Sequence, residues 1–322
     1  MNVVGDATKT DIDSCFVQAW ALNQQSAVFA AIPYAAADQS VATACVAALD
    51  AGGVVDARIS SGIVVEGADL TVRFLEQAME YFQKALYSYY GQYLLARRGY
   101  ATWARVTNYY ASFFSIHSLL CLQGRTVTRL RRGNGSELQC YVIPHDLAAH
   151  RYIVCSRGAR GRDHAVAWNR YYEIYDRYTS PRAEYELVHK IAHVTDPKDE
   201  SNYRNEINYV PFGGFKEFND ADARTALLEA YRGAVESKPP GIGVDECVAT
   251  LHALGTDPAF HYFARVALRL LLASEIMKAF VGVNAAFALE WNARAPIWRE
   301  FGASAFNDPP ANFIETLPTL LT

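Results

Sequence analysis

Residues 69–98 read DLTVRFLEQAMEYFQKALYSYYGQYLLARR, and their apolar and aromatic side chains recur every three or four residues. This spacing predicts one face of a long amphipathic helix. Residues 100–122, YATWARVTNYYASFFSIHSLLCL, predict a second and more apolar helix that ends at Gly124. Because Gly99 alone separates the two segments, they are predicted to pack as an antiparallel helical hairpin.

Downstream, residues 125–162 change from a helical to a β-strand pattern. Two β-favouring runs, 125–132 and 137–143, flank the turn sequence GNGS and predict a hairpin, and residues 151–155 predict a third strand. The region carries eight arginines against two acidic residues, a formal charge of +6, which leaves −10 for the rest of a chain whose net charge is −4. The eight are Arg125, Arg129, Arg131, Arg132, Arg151, Arg157, Arg160 and Arg162.

The remaining segments complete a mainly helical chain. Upstream, residues 42–49 predict a short helix and residues 54–65 predict one or two strands. Near the C-terminus, the PPG sequence at 239–241 predicts a linker, and residues 258–287 predict a long apolar helix. We therefore predict a mainly α-helical protein with an N-terminal region of unassigned fold at 1–66, a helical bundle at 67–237 with a small basic β insertion at 125–162, and a C-terminal helical extension at 242–322.

The composition is that of a folded protein without a membrane span. The 322 residues are 51% hydrophobic and 20% charged, which excludes the disordered and fibrous classes. No run approaches the ~18 apolar residues of a membrane-spanning helix. The first residues lack the pattern of a signal peptide, so a cytoplasmic location is expected. No two cysteines have the two-residue spacing of a zinc or redox motif, which favours buried thiols at Cys15, Cys45, Cys121, Cys140, Cys155 and Cys247.

Two segments resemble the HEPN superfamily. Residues 104–124, ARVTNYYASFFSIHSLLCLQG, resemble the second HEPN helix, in which a Tyr-Tyr-Ala-X-Phe core leads to a closing glycine. Residues 203–212, YRNEINYVPF, and the helix predicted from Asp220 resemble a later segment of the same domain. The resemblance covers about residues 69–236. It implies a four-helix bundle that forms a homodimer, often in a prokaryotic defence or toxin–antitoxin system.

Active HEPN proteins are metal-independent ribonucleases, whose motif is an arginine, a polar residue and a histidine four to six positions on. Arg204 and Asn205 match its first half, but Tyr209 stands where a histidine is expected. A tyrosine with a pKa near ~10 is a poor general base. The resemblance therefore favours a non-catalytic or weakly catalytic RNA- or nucleotide-associated protein. The alternative is an endoribonuclease in which His189 or His193, one helical turn apart, supplies the missing base.

The eight clustered arginines are the predicted nucleic-acid-binding residues, because guanidinium groups contact the phosphate backbone without reading its sequence. Tyr141, Tyr152 and Trp168 lie among or near them and are expected to stack on exposed bases. An acidic protein partner would use the same positive patch, in which case the chain is a helical interaction scaffold. No metal and no other cofactor is predicted.

Overall fold

The computed structural model describes residues 1–35, 40–98, 100–156, 163–175, 177 and 258–305. The described part is mostly helical with a small antiparallel sheet. Its helices are α1 (Lys9–Val17), α2 (Leu22–Ala30), α3 (Val41–Ala51), α4 (Asp56–Ser61), α5 (Ala68–Arg97), α6 (Ala101–Leu122), α7 (Asp163–Tyr175), α8 (Pro258–Val281) and α9 (Ala285–Ala305). Its strands are β1 (Asn2–Asp6), β2 (Ile63–Glu66), β3 (Thr126–Arg131), β4 (Glu137–Asp146) and β5 (Arg151–Cys155). None of the described helices has the length and apolar character needed to cross a membrane.

The predicted helical hairpin is confirmed by α5 and α6. The Ser118 hydroxyl donates to the carbonyl oxygen of Ala78 at 2.8 Å. Further along, the rings of Tyr81 and Phe114 stack with their centroids 6.3 Å apart. From the first contact to the second, residue numbers rise along α5 and fall along α6. The two helices therefore run antiparallel.

The predicted β-hairpin and third strand are also confirmed, but they do not form a sheet of their own. The five strands are hydrogen-bonded in the order β1-β2-β5-β4-β3, and every neighbouring pair is antiparallel. β5 pairs with β2, where Ile153 lies opposite Val64. The N-terminal region, which the sequence left unassigned, therefore supplies two of the five strands, and the predicted insertion completes a sheet that starts there.

Within that N-terminal region, the helix predicted at 42–49 is confirmed as α3, whereas the strands predicted at 54–65 are largely wrong. Residues 56–61 form α4, and the strand begins only at Ile63. Gly62 ends the helix with a φ of +107°, and its N–H donates to the carbonyl oxygen of Arg58 at 3.0 Å. A short apolar alternation fits either structure, and this left-handed glycine, which breaks the run, decides between them.

Helices cover both faces of the sheet. On one face α1 contributes Ile12 and Cys15 to a buried cluster with Tyr141, Ile143 and Ile153 from the strands. On the other face α5 packs against the sheet: Phe74 stacks on Tyr152 at 5.2 Å, and Gln77 Nε2 donates to Thr126 Oγ1 at 3.3 Å. The sheet therefore lies in the middle of a helix–sheet–helix arrangement. β2, β5 and the middle of β4 are mostly buried, whereas the edge strands β1 and β3 are partly exposed.

The chain divides into two compact units. The first, which contains the sheet, comprises Met1–Glu80, His117–Pro181 and Ile276–Glu290; the second comprises Tyr81–Ile116, Arg182–Glu275 and Trp291–Thr322.

The long C-terminal helix predicted at 258–287 begins as expected at Pro258 but ends at Val281, and a second helix, α9, follows a short turn. Five cysteines are buried free thiols, as predicted: Cys15, Cys45, Cys121, Cys140 and Cys155. Cys247 lies outside the described residues.

Replacing Thr8 with alanine is expected to lower the free energy of unfolding by about 1 kcal/mol. Thr8 caps α1: its hydroxyl accepts from the Asp11 N–H, and its own N–H donates to the Asp11 carboxylate at 2.9 Å. Hydrogen bonds from Thr8 hold the pKa of Asp11 below its usual value of 3.8. Their stabilisation is present above that value and is lost as the pH falls through the lowered pKa.

Urea unfolding of both proteins at neutral and at acidic pH checks this prediction. The difference in the free energy of unfolding between the two proteins should narrow in acid, because protonation of Asp11 weakens the hydrogen bonds that it accepts from Thr8. A difference that is the same at both pH values would contradict the assigned role of the Asp11 carboxylate.

Candidate nucleic-acid interface

The structure describes five of the eight predicted nucleic-acid-binding arginines, and these five do not form one exposed patch. Two are buried, two are exposed on β3, and one is half-exposed on β5. The remaining predictions concern residues outside the described part of the chain and stay predictions. These residues are Arg157, Arg160 and Arg162 of the arginine cluster and Arg204, Asn205, His189, His193 and Tyr209 of the catalytic set.

Arg125 lies inside the fold, where it caps the C-terminal end of α1. Its Nη1 donates to the carbonyl oxygens of Cys15 at 2.6 Å and Phe16 at 3.3 Å, and its Nη2 donates to that of Gln18. Carbonyl groups at a helix end lack partners within the helix and carry partial negative charge, which a guanidinium group satisfies. Burial lowers the pKa of Arg125 to about 10, so it remains charged at neutral pH. This buried position differs from the surface role predicted for it.

The turn at Gly124 explains how Arg125 reaches that position. Gly124 ends α6 with a φ of +66°, and its N–H donates to the Cys121 carbonyl at 2.8 Å. The N–H of Arg125 donates to the Leu120 carbonyl at 3.0 Å, which completes a glycine C-cap. The sequence predicted the stop at Gly124, and the tight turn there directs the chain from α6 into β3 beside the end of α1.

Arg132 is also structural. Its side chain is only 5% exposed, with Nη2 2.6 Å from Asp50 Oδ1 and Nη1 3.1 Å from Asp56 Oδ1. Asp50 belongs to α3, and Asp56 lies in the first turn of α4. One guanidinium group therefore joins the β-hairpin to two helices, and two carboxylates offset its charge.

Arg129 and Arg131 are the exposed members of the cluster, with side chains 55% and 82% exposed. They lie two residues apart on β3, and therefore on the same face of the edge strand of the sheet. Glu137 accepts from both, at 3.1 Å from Arg129 and 3.2 Å from Arg131. These two arginines, chiefly the hydrogen bond from Arg129, hold the pKa of Glu137 below its usual value.

Arg151 is half-exposed and pairs across the sheet. It lies directly opposite Glu66 in the β2–β5 register, and its Nε donates to the Glu66 carboxylate. That hydrogen bond raises the pKa of Arg151. Because both partners face solvent, the pair contributes little to stability. The sequence located this arginine but not the glutamate 85 residues away that partly neutralises it.

The three aromatic side chains expected to stack on bases are buried, so that expectation is wrong. Tyr141, Tyr152 and Trp168 are between 0 and 3% exposed. Phe16 packs edge-on against Tyr141 at 4.9 Å, and the guanidinium carbon of Arg170 lies 5.0 Å from the Tyr141 ring centroid. These three residues lie on β4, β5 and α7, where their side chains face the core. They do not form a surface for stacking on bases.

Among described residues, no group of three or more His, Cys, Asp or Glu side chains is placed to hold a metal ion. The geometry in this part of the chain offers instead two exposed guanidinium groups on an edge strand, a surface suited to weak contact with a polyanion. No family model, no curated protein and no solved structure matches the chain.

Proposed function

We propose that the chain is a HEPN-like, RNA- or nucleotide-associated protein, non-catalytic or weakly catalytic, that acts as a homodimer in a prokaryotic defence or toxin–antitoxin system. The antiparallel pairing of α5 and α6 supports this proposal. The pair carries Tyr109, Tyr110 and Ala111 in the order typical of the second HEPN helix. Tyr109 is buried at 3% exposure and Ala111 at 0%, as expected of a bundle helix that packs on several sides.

The proposed RNA contact uses Arg129 and Arg131 on β3. Both guanidinium groups are exposed, and their contact with Glu137 is at the surface, where exchange for a phosphate oxygen costs little. Arg125 and Arg132 are left out of this surface because both are buried, Arg125 against carbonyl groups and Arg132 against carboxylates of the fold.

Replacing Arg129 and Arg131 together with alanine is expected to weaken binding of labelled single-stranded RNA about tenfold at low salt. The slope of the logarithm of affinity against the logarithm of salt concentration should fall by about 1.4, since each lost contact with a single strand removes about 0.7. Fluorescence anisotropy at several salt concentrations, in EDTA, measures both quantities.

The matched control is Arg58→Ala. Arg58 is also a half-exposed arginine paired with a carboxylate, that of Asp6 at 2.7 Å, but it lies on α4. Its loss should leave RNA affinity unchanged. Equal weakening in the control and in the double variant would show that general charge, rather than the β3 surface, carries binding. Absence of RNA binding by the unaltered protein would overturn the proposal.

The same mixtures of protein and labelled RNA in EDTA, assayed for cleavage, test the ribonuclease alternative. That alternative rests on the sequence match of Arg204 and Asn205. Cleavage in EDTA that disappears in Arg204→Ala would establish a metal-independent nuclease, and His189→Ala and His193→Ala would then identify the base. Salt-sensitive binding to polyglutamate without RNA binding would support the interaction scaffold instead.

A further inference from the structure

The turn between β3 and β4 carries a reactive group that the proposed function does not use. Asn134 and Gly135 lie at the tip of this turn, and both are exposed. They are also the only asparagine–glycine pair in the sequence. A Cβ atom built on Gly135 would meet no other atom within 4 Å, so the space beside its backbone is open.

The backbone of the turn has a defined geometry. Gly135 has a φ of +84°, and its N–H donates to the carbonyl oxygen of Arg132 at 2.9 Å. The Arg132 N–H donates to the carbonyl oxygen of Ser136 at 2.9 Å, which closes the hairpin. Glycine takes this left-handed conformation without strain, so the sequence of the turn agrees with its geometry.

The side chain of Asn134 bends over the glycine that follows it. Its Oδ1 accepts a hydrogen bond from the Ser136 N–H at 2.9 Å. This contact closes a small ring that runs from the Asn134 amide through the Gly135 backbone to Ser136, an Asx turn. The amide carbon of Asn134 and the backbone nitrogen of Gly135 both belong to that ring, so the fold holds the two atoms near each other.

We propose that Asn134 is a site of spontaneous deamidation in the folded protein. The Gly135 nitrogen gives up its proton and forms a bond with Cγ of Asn134, and the side-chain amide nitrogen takes up a proton and leaves as ammonia. Water then opens the resulting succinimide ring at either carbonyl, which gives aspartate or isoaspartate. Water is the only co-reactant, and no oxidation or reduction takes place.

Two features of the turn favour this reaction. Negative charge develops on Asn134 Oδ1 during the attack, and the Ser136 N–H donates to that oxygen. Glycine has no side chain that could block the approach of its nitrogen. The hydrogen bond from the Gly135 N–H to Arg132 opposes the attack until it opens, and opening at an exposed hairpin tip needs little free energy.

Deamidation changes the charge of the hairpin, because a carboxylate replaces a neutral amide. Isoaspartate also adds one atom to the backbone of the turn. The hairpin that carries Arg129 and Arg131 thereby becomes less positive, and the RNA contact proposed above becomes weaker as the protein ages. This consequence rests on the proposed function, whereas the modification itself does not.

The test follows the intact protein during incubation at neutral and at mildly alkaline pH in water enriched in the heavy oxygen isotope. Peptide mass spectrometry should show the isotope incorporated at Asn134, and faster at the higher pH because the Gly135 nitrogen must lose a proton. Asn23 is the internal control: it is exposed, but Gln24 follows it within α2. Asn134 should be modified at least about tenfold faster than Asn23. Equal rates at the two positions, or modification of Asn134 only after unfolding in urea, would overturn the proposal.

Two variants test the mechanism. Gly135→Asp retains a residue that tolerates the left-handed conformation but places a side chain beside the attacking nitrogen, so modification of Asn134 should slow at least about tenfold. Asn134→Gln keeps the amide but needs a larger ring, and it should incorporate far less of the isotope at this position. Unchanged modification of Asn134 in Gly135→Asp would contradict attack by the nitrogen that follows it. None of these measurements involves RNA, so this proposal and the proposed function can fail separately.

Discussion

Replacing Arg125 with methionine is expected to lower the free energy of unfolding by about 3–5 kcal/mol, because one buried and two part-buried hydrogen bonds from its guanidinium group to carbonyl oxygens are then lost. Methionine nearly preserves the length of the side chain, so the loss reports the hydrogen bonds and charge rather than a cavity. The affected carbonyls belong to Cys15, Phe16 and Gln18 at the end of α1. Urea unfolding followed by tryptophan fluorescence measures the change.

Two further substitutions separate the causes. Arg125→Lys keeps the positive charge beside the helix end but has no planar fork to reach several carbonyls, so an intermediate loss is expected. Arg129→Met removes an arginine from the same basic segment, and a change of at most about 0.5 kcal/mol is expected because Arg129 is exposed. An Arg125→Met protein as stable as the Arg129→Met protein would contradict the structural role assigned to Arg125.

The second large effect is expected at Asn284, which joins the start of α9 to the end of α2. Its Nδ2 donates to the carbonyl oxygens of Phe29 at 2.8 Å and Ile32 at 2.9 Å, and its Oδ1 accepts from the N–H of Phe287 at 3.0 Å. Asn284→Leu removes a helix cap and leaves two buried carbonyls without that donor. A loss of about 2–4 kcal/mol in the free energy of unfolding is expected.

Asn284→Asp distinguishes the two contributions to this loss. A carboxylate preserves the cap on Phe287 but opposes the Phe29 and Ile32 carbonyls, so at neutral pH the variant should be at least as unstable as Asn284→Leu. The control is Asn23→Asp, an exposed position on α2, where a change within about 0.5 kcal/mol is expected. A stable Asn284→Asp protein would show that the contacts with the two carbonyls contribute little.

Much of the local structure could be predicted from the sequence because its signals are local. The three- and four-residue spacing of apolar side chains located α5 and α6, and the GNGS turn between β-favouring runs located β3 and β4. Short elements were harder: residues 56–61 form a helix although their pattern suited a strand. The sheet order was beyond the sequence, since pairing of β2 with β5 joins residues nearly 90 apart and leaves no periodic trace.

The candidate site divides in the same way. The sequence by itself determined the number of arginines in residues 125–162, their net charge, and the stop at Gly124 that turns the chain beside α1. Only the tertiary structure decided that Arg125 and Arg132 are buried and that Arg129 and Arg131 are exposed. The physical reason is that charge is a property of a residue, whereas its availability depends on desolvation and on partners brought close by folding. For Arg125 those partners lie more than 100 residues away in sequence.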